Sequence, residues 1–182
     1  MAVVYPDDIK AARMSAVKNA LGADGKLEIG TTGMATLIAT VPLGAGGTVS
    51  GAVWTLLSAS ASDPSADTTA RANEARLRSS VNVDVVTGLT VGLTATAAPA
   101  WAGSTAYALG DFVTNGANQY KCTTAGTSAA SGGPTGTGSG ITDGTAAWEY
   151  CCVANADIQV NNIDVTLGEA FQIDSATITH AA

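Results

Sequence analysis

The residues in this chain that could do chemistry are few and badly spaced for it. A single histidine, His180, stands near the end on the same parity as Ala176 and Ile178. A hydrolytic triad needs such a ring held by a carboxylate and set beside a nucleophile. Here it reads as a terminal or interface residue. Cys122, Cys151 and Cys152 have neither C-x2-C spacing nor a histidine partner, so a zinc site is not expected. In a reducing compartment they read as buried thiols, with Cys122 and Cys151 placed to face each other across two strands. Asp63, Asp67, Asp143 and Asp157 fall mostly at turns, where aspartate is common, and no two of them are singled out for paired-acid hydrolysis. The run "GPTGTGSGITDG" lacks the Lys-Ser/Thr ending of a phosphate loop and reads as a flexible loop. The expectation is a non-enzymatic protein with no cofactor and no metal.

Aromatic rings are the remaining chemical resource. Six of the nine lie between Trp101 and Tyr150. Exposed rings can stack on the CH faces of a sugar; buried ones can hold together a module of about fifty residues, too small for a large core. Each ring buries roughly 150–250 Å². Trp101, Tyr107, Tyr120 and Trp148 are open to both roles, as sugar-binding residues or as the core of a small module.

The elements that must position these rings can be read from charge and periodicity. The 182 residues carry a net charge of −7, and residues 122–182 contain acids but no base. That balance argues against a nucleic-acid partner, which needs clustered Lys and Arg. Residues 29–62 and 122–142 carry no charge at all. Such runs are either buried in a β core or covered by neighbouring chains, because charge is what keeps a bare surface soluble. Gly and Thr interrupt the first run too often for a membrane span, Asp7 and Asp8 stand where an export signal would be basic, and the odd cysteine count argues against a disulfide framework. Synthesis in a reducing cytoplasm is expected.

"YPDDIKAARMSAVKNALGADG" reads as a helix, with Pro6 in its first turn, Asp7 and Asp8 at the positive end of the dipole, and Gly22 as its stop. Its apolar stripe is Ile9, Ala12, Val17, Ala20 and Leu21; the helix either docks on a partner subunit or packs on its own domain. After Gly25 the pattern becomes β: "KLEIG", "MATLIAT", "TVSGAVWTLL" and "NVDVVTGLTVG", punctuated by "PLGAGG" and "SDPSAD". "TTARANEARLRSS" fits helix by composition and strand by the alternation of Ala75, Leu77 and Ser79. In the tail, Ile158 and Val160, then Ile163, Val165 and Leu167, then Phe171 and Ile173, then Ala176 and Ile178 point one way, with turns at Asn161-Asn162 and Gly168-Glu169. The fold class expected is mainly β: an antiparallel β-sandwich or jelly-roll-like domain (residues 1–98 and 154–182) with an N-terminal helix. Residues 99–153 form an insertion in one of its loops. In that insert Asn115-Gly116 is a hairpin turn, and "AAWEYCC" supplies a third strand.

Two resemblances attach to these segments. Trp101, Tyr107, Gly110-Asp111, Val113, Asn115-Gly116, Tyr120, Gly126, Pro134 and Trp148 resemble, in order and spacing, the small carbohydrate-binding modules of the chitin- and cellulose-binding type. That resemblance implies a three-stranded module that stacks exposed rings on polysaccharide. The relatives carry an aromatic pair just after the segment matching "QYKC", where this chain has Thr123 and Thr124.

The remainder, "GKLEIGTTGMATLIATVPL", "ARANEARLRSS", "DVVTGLTVG" and "IQVNNIDVTLGEAFQIDSATITHA", resembles a family of small tailed-bacteriophage virion proteins over residues 5–94 and 155–182. The resemblance implies an N-terminal helix followed by a β-sandwich, with "EARLRSS" as a strand, and a structural role in the particle. The expectation is a head decoration (cement) protein on the capsid surface of the virion. Its partners would be the major capsid protein and its own copies, as a homo-oligomer and specifically a trimer, with the insert projecting outward. No nucleic acid and no membrane are expected as partners. The alternative is a tail- or fibre-associated adhesin whose insert binds host glycan, with polysaccharide as a further partner.

Overall fold

The computed structural model describes residues 4–44 and 46–180; Ala45, inside the expected "PLGAGG" turn, lies outside them. The chain divides into two compact units. One is Met1–Val91 with Asp157–Ala182, and the other is Gly92–Ala156. The second therefore begins at Gly92 rather than at residue 99 and ends at Ala156 rather than at 153.

The first unit opens with α1, Asp7–Leu21. Asp7 and Asp8 lie in its first turn, and Pro6 precedes it with a carbonyl that accepts the Lys10 N–H at 3.0 Å. Gly22 ends the helix at φ 77°, a left-handed conformation in which a side chain would be strained. The face that packs on the domain differs from the stripe expected from hydropathy. Met14 and Leu21 are buried, whereas Ile9 is 43% exposed and Ala12 and Ala20 face outward. The inward face runs through Met14, Lys18 and Leu21 at i, i+4 and i+7, and Lys18 fits because its stem lies beside Gly46 while Nζ donates to the Gly47 carbonyl. Leu21 closes over Gly25, where a Cβ would stand 2.2 Å from its Cγ.

The strands follow: β1 (Gly25–Gly30), β2 (Leu37–Gly44), β3 (Thr48–Ser50), β4 (Val53–Thr55), β5 (Ala61–Asp63), β6 (Ala70–Arg71), β7 (Glu74–Arg78) and β8 (Asp84–Leu93). "EARLR" is a strand: Ala75, Leu77 and Ser79 are buried while Arg76 and Arg78 face the other side, where they meet Glu28 at 2.7 and 3.6 Å. A helix would have scattered the two arginines and the buried pair around its girth.

The second unit contributes β9 (Ala106–Tyr107), β10 (Phe112–Asn115), β11 (Asn118–Thr124), β12 (Gly126–Thr127), β13 (Ile141–Asp143) and β14 (Ala146–Val153). The chain then returns to the first unit with β15 (Ile158–Val160), β16 (Asp164–Val165) and β17 (Phe171–Thr179).

Among the described residues the first unit is a curled, β-sandwich-like sheet in the order β2-β1-β7-β8-β15-β17-β4-β3, with β5 also on β17 and the small pair β16-β6 beside it. Its core holds Leu27, Ile29, Ile38, Val41, Trp54, Leu77, Ile158, Phe171 and Ile173. The tail alternates as read, with a phase break that has a cause. Gln159 pairs with Ser175 but Val160 pairs with Ile173, so Asp174 is an extra residue in β17, a bulge that restores the inward direction at Ala176. Leu167 departs from the pattern. It is 64% exposed because it sits with Gly168 (φ 81°) in the middle of the turn closed by Glu169 N–H to Thr166 O, one residue before the expected Gly168-Glu169 turn.

No helix among the described residues is long and apolar enough to cross a membrane.

Candidate functional site

The aromatic cluster lies wholly within the second unit. Its frame is a sheet in the order β10-β11-β14-β13 with the pair β12-β9 beside it. The expected hairpin and third strand are there as β10, β11 and β14, and β13 adds a fourth. The hairpin turn is shifted by one residue. Asn115 pairs with Asn118, and Gly116 (φ 63°) with Ala117 makes the two-residue loop, the pattern of a II′ turn with Gly first. This frees the Asn115 side chain, whose Nδ2 donates to the carbonyls of Gly132 and Pro134, both at 3.0 Å, and so ties down the Gly-rich loop.

On one face of the sheet Val113, Tyr120, Cys122, Ala146 and Trp148 are buried together, with Trp101, Tyr107, Ile141 and Tyr150 packed around them. All four rings singled out in the sequence therefore meet. Trp148 lies at the centre, and Tyr107 contacts it edge-on, centroids 4.9 Å apart at 72°. Tyr120 meets Tyr150 at 6.3 Å and 76°.

The polar handles of Trp101, Tyr107, Tyr120 and Trp148 are all used inside the module. Trp101 Nε1 donates to Asp143 Oδ2 at 2.8 Å, and Trp148 Nε1 donates to the same oxygen at 3.2 Å. Tyr107 Oη accepts the Ala102 N–H at 2.8 Å. Tyr120 Oη donates to the Gly136 carbonyl at 3.0 Å and accepts from Asn118 Nδ2 at 3.2 Å.

Of the two roles open to the four rings, sugar binding does not fit two of them. Tyr120 is 1% exposed and Trp148 0%, so neither presents a face on which a sugar could stack; they are core. Trp101 and Tyr107 are half-buried. Gly133 is packed so closely on Trp101 that a Cβ would stand 2.9 Å from its Cδ2. Thr123 and Thr124, where the carbohydrate-binding relatives carry rings, are exposed.

Two residues given no site role in the sequence organise the module. Asp143, assigned there to a turn, is a buried strand residue that accepts from both indoles and from the Ala129 N–H at 2.9 Å. Its signal was available: it is the first acid after a long neutral run and stands five residues before Trp148. Gln119 is the second. Buried to 1%, it accepts the Leu93 N–H and donates to the Leu93 carbonyl, both at 2.8 Å, imitating a strand partner.

All three cysteines are buried thiols, as expected, but Cys122 and Cys151 do not face each other across the strands. Cys122 lies opposite Trp148, with its thiol on the Thr124 carbonyl at 3.2 Å, whereas Cys151 and Cys152 sit beside each other with sulfurs 3.3 Å apart. Burial pushes the Cys122 thiol above its ordinary range; the Thr124 hydrogen bond opposes this and the Asp111 charge adds to it. The Tyr150 phenol is likewise raised, by burial first and then by the neighbouring Cys152, Cys151 and Tyr120.

His180 continues the β17 ladder through its N–H to the Ala52 carbonyl at 2.7 Å. No cluster of three or more His, Cys, Asp or Glu able to hold a metal occurs among the described residues. Comparisons with protein-family models, with curated proteins and with solved structures return no match to this chain.

Proposed function

We propose that this chain is a non-enzymatic structural protein of a tailed-bacteriophage particle, a head decoration protein that binds the capsid surface as an oligomer and stabilises the shell. The observation that carries this reading is how the long neutral stretch divides. Its first part is core: Ile29, Ile38, Ala39, Val41 and Leu43 are buried. Its second part is mixed: Trp54 and Leu56 are core, whereas Thr48, Ser50, Val53 (39% exposed) and residues 58–60 face outward without one charge among them. Exposed residues that bring no charge of their own suit contact with neighbouring chains better than contact with water. The segments whose pattern resembles virion proteins fall, apart from residues 92–94 and 155–156, in one unit, in which the "IDSATIT" strand pairs with β15, β4 and β5.

The test is to add the purified protein to capsid shells that lack it. Saturable co-sedimentation, a trimer by native mass spectrometry and shells that resist heating are expected. A monomer that leaves every shell unbound overturns the proposal, and retention on chitin or cell-wall polysaccharide alone would replace it with the adhesin reading.

A further inference from the structure

In a regular strand, neighbouring side chains point to opposite faces. Cys151 and Cys152 break that rule because β14 is irregular at this point. Gln119 of β11 pairs with Cys152, but the next residue, Tyr120, pairs with Tyr150, so Cys151 is an extra residue in β14. The bulge turns the two side chains toward each other and leaves their sulfurs 3.3 Å apart, 7% and 5% exposed by residue. Cys152 is further fixed by its thiol hydrogen bond to Gln119 Oε1 at 3.1 Å, and Gln119 is itself clamped on both polar groups of Leu93. The arrangement holds two thiols in contact on a rigid element.

We propose that Cys151 and Cys152 are a redox-modification site that takes a small peroxide and closes to a disulfide between adjacent residues. The thiolate of one cysteine attacks a peroxide oxygen. The S–O bond forms as the O–O bond breaks, and the departing hydroxide takes up the proton released by that thiol to leave as water. The second sulfur then attacks the sulfenic sulfur. The S–S bond forms, the S–O bond breaks, and the second oxygen leaves as water with the second thiol proton. Two thiols are oxidised and one hydrogen peroxide is reduced to two waters.

Adjacent Cα atoms are about 3.8 Å apart, closer than the roughly 4.4–6.8 Å that disulfides usually span, so the closed form is strained and readily reduced. Once closed it pins the bulge and removes the proton that Cys152 shares with Gln119. Cys122, across from Trp148, has no place in this chemistry.

The test uses the whole chain, fully reduced, then exposed to hydrogen peroxide, quenched, denatured and alkylated. Alkylatable thiols should fall from three to one, with Cys122 the one retained. Before alkylation the intact mass should drop by about 2 Da, and dithiothreitol should reverse both changes. Cys151→Ser and Cys152→Ser should each abolish the loss, while Cys122→Ser should keep it; this third variant decides the matter if either of the first two misfolds. Three thiols still alkylatable, stable oxygen adducts on single cysteines, a bond that includes Cys122, or dimers linked between chains would each overturn the proposal.

Discussion

Thr90 and Asp157, 67 residues apart in sequence, exchange three hydrogen bonds: Asp157 Oδ2 accepts from the Thr90 N–H at 2.9 Å and from its hydroxyl at 2.8 Å, and that hydroxyl accepts the Asp157 N–H at 2.9 Å. Asp157 thereby does more than occupy a turn. The pair stands where the first unit gives up the chain and where it takes it back.

The ends of the first unit are therefore already joined. Replacing residues 92–156 by a short Gly-Ser linker should leave a protein that unfolds cooperatively, measured by circular dichroism in urea, and that still sediments with capsid shells. Non-cooperative melting of this variant would show that the first unit lacks a self-sufficient core. In the full-length chain Asp157→Ala should cost about 1–2 kcal/mol, since it removes two exposed hydrogen bonds at once.

Asp143→Ala should be the more damaging change. It leaves two indole N–H groups and the Ala129 N–H without their acceptor, at a cost of about 3 kcal/mol or more. Asp143→Asn keeps an acceptor oxygen and should cost less. Denaturation followed by tryptophan fluorescence separates the two, and equal losses would contradict the role given to the carboxylate.

Trp54 and Trp101 should respond differently to truncation. Trp54 is fully buried, and its Nε1 donates to the Gly46 carbonyl at 2.7 Å. Trp54→Ala should cost about 3–5 kcal/mol and weaken shell binding with it. Trp101→Ala should loosen the second unit but leave shell binding within about twofold, because the proposed shell contacts lie in the first unit. The reverse ranking in a sedimentation assay would count against that division of labour.

Alkaline pH should act on the second unit. A folded-state pKa raised above the unfolded value means that the native chain keeps its proton while the unfolded chain loses it. The stability that Cys122 and Tyr150 contribute is therefore intact at low and neutral pH. It falls as pH rises through the unfolded thiol and phenol range, from about 9 upward. Thermal melts from pH 7 to 10.5 should show the decline, and Cys122→Ser should make it shallower. A Cys122→Ser slope identical to that of the parent protein would remove Cys122 as a cause.

Much of the architecture was legible along the chain because short-range rules governed it. Asp7, Asp8 and Gly22 mark the ends of a helix whatever it packs on, and the alternation from Ile158 to Ile178 is a strand pattern in any sheet. The break in phase between Ile173 and Ala176 was visible too, although only pairing with β15 reveals it as a bulge at Asp174. The inward face of α1 was not legible. Hydropathy ranks Ile9 above Lys18, yet burial there depends on where the Gly47 carbonyl waits and on the flat approach that Gly25 allows. The ring cluster was legible as a group, but which of its rings are core was not, since composition cannot tell a stacking platform from a core.

Periodicity and composition alone determined that this chain is mainly β, begins with a helix and carries an aromatic-rich segment interrupting a β pattern, because these follow from residue spacing of 2 or 3.6 and from where Gly and Pro stand. Tertiary structure alone decided that Trp148 and Tyr120 face inward, that Asp143 binds two indoles, and that Cys151 meets Cys152 rather than Cys122. Each of these depends on strand register, and in a sheet a shift of one residue exchanges the inward side chain for the outward one.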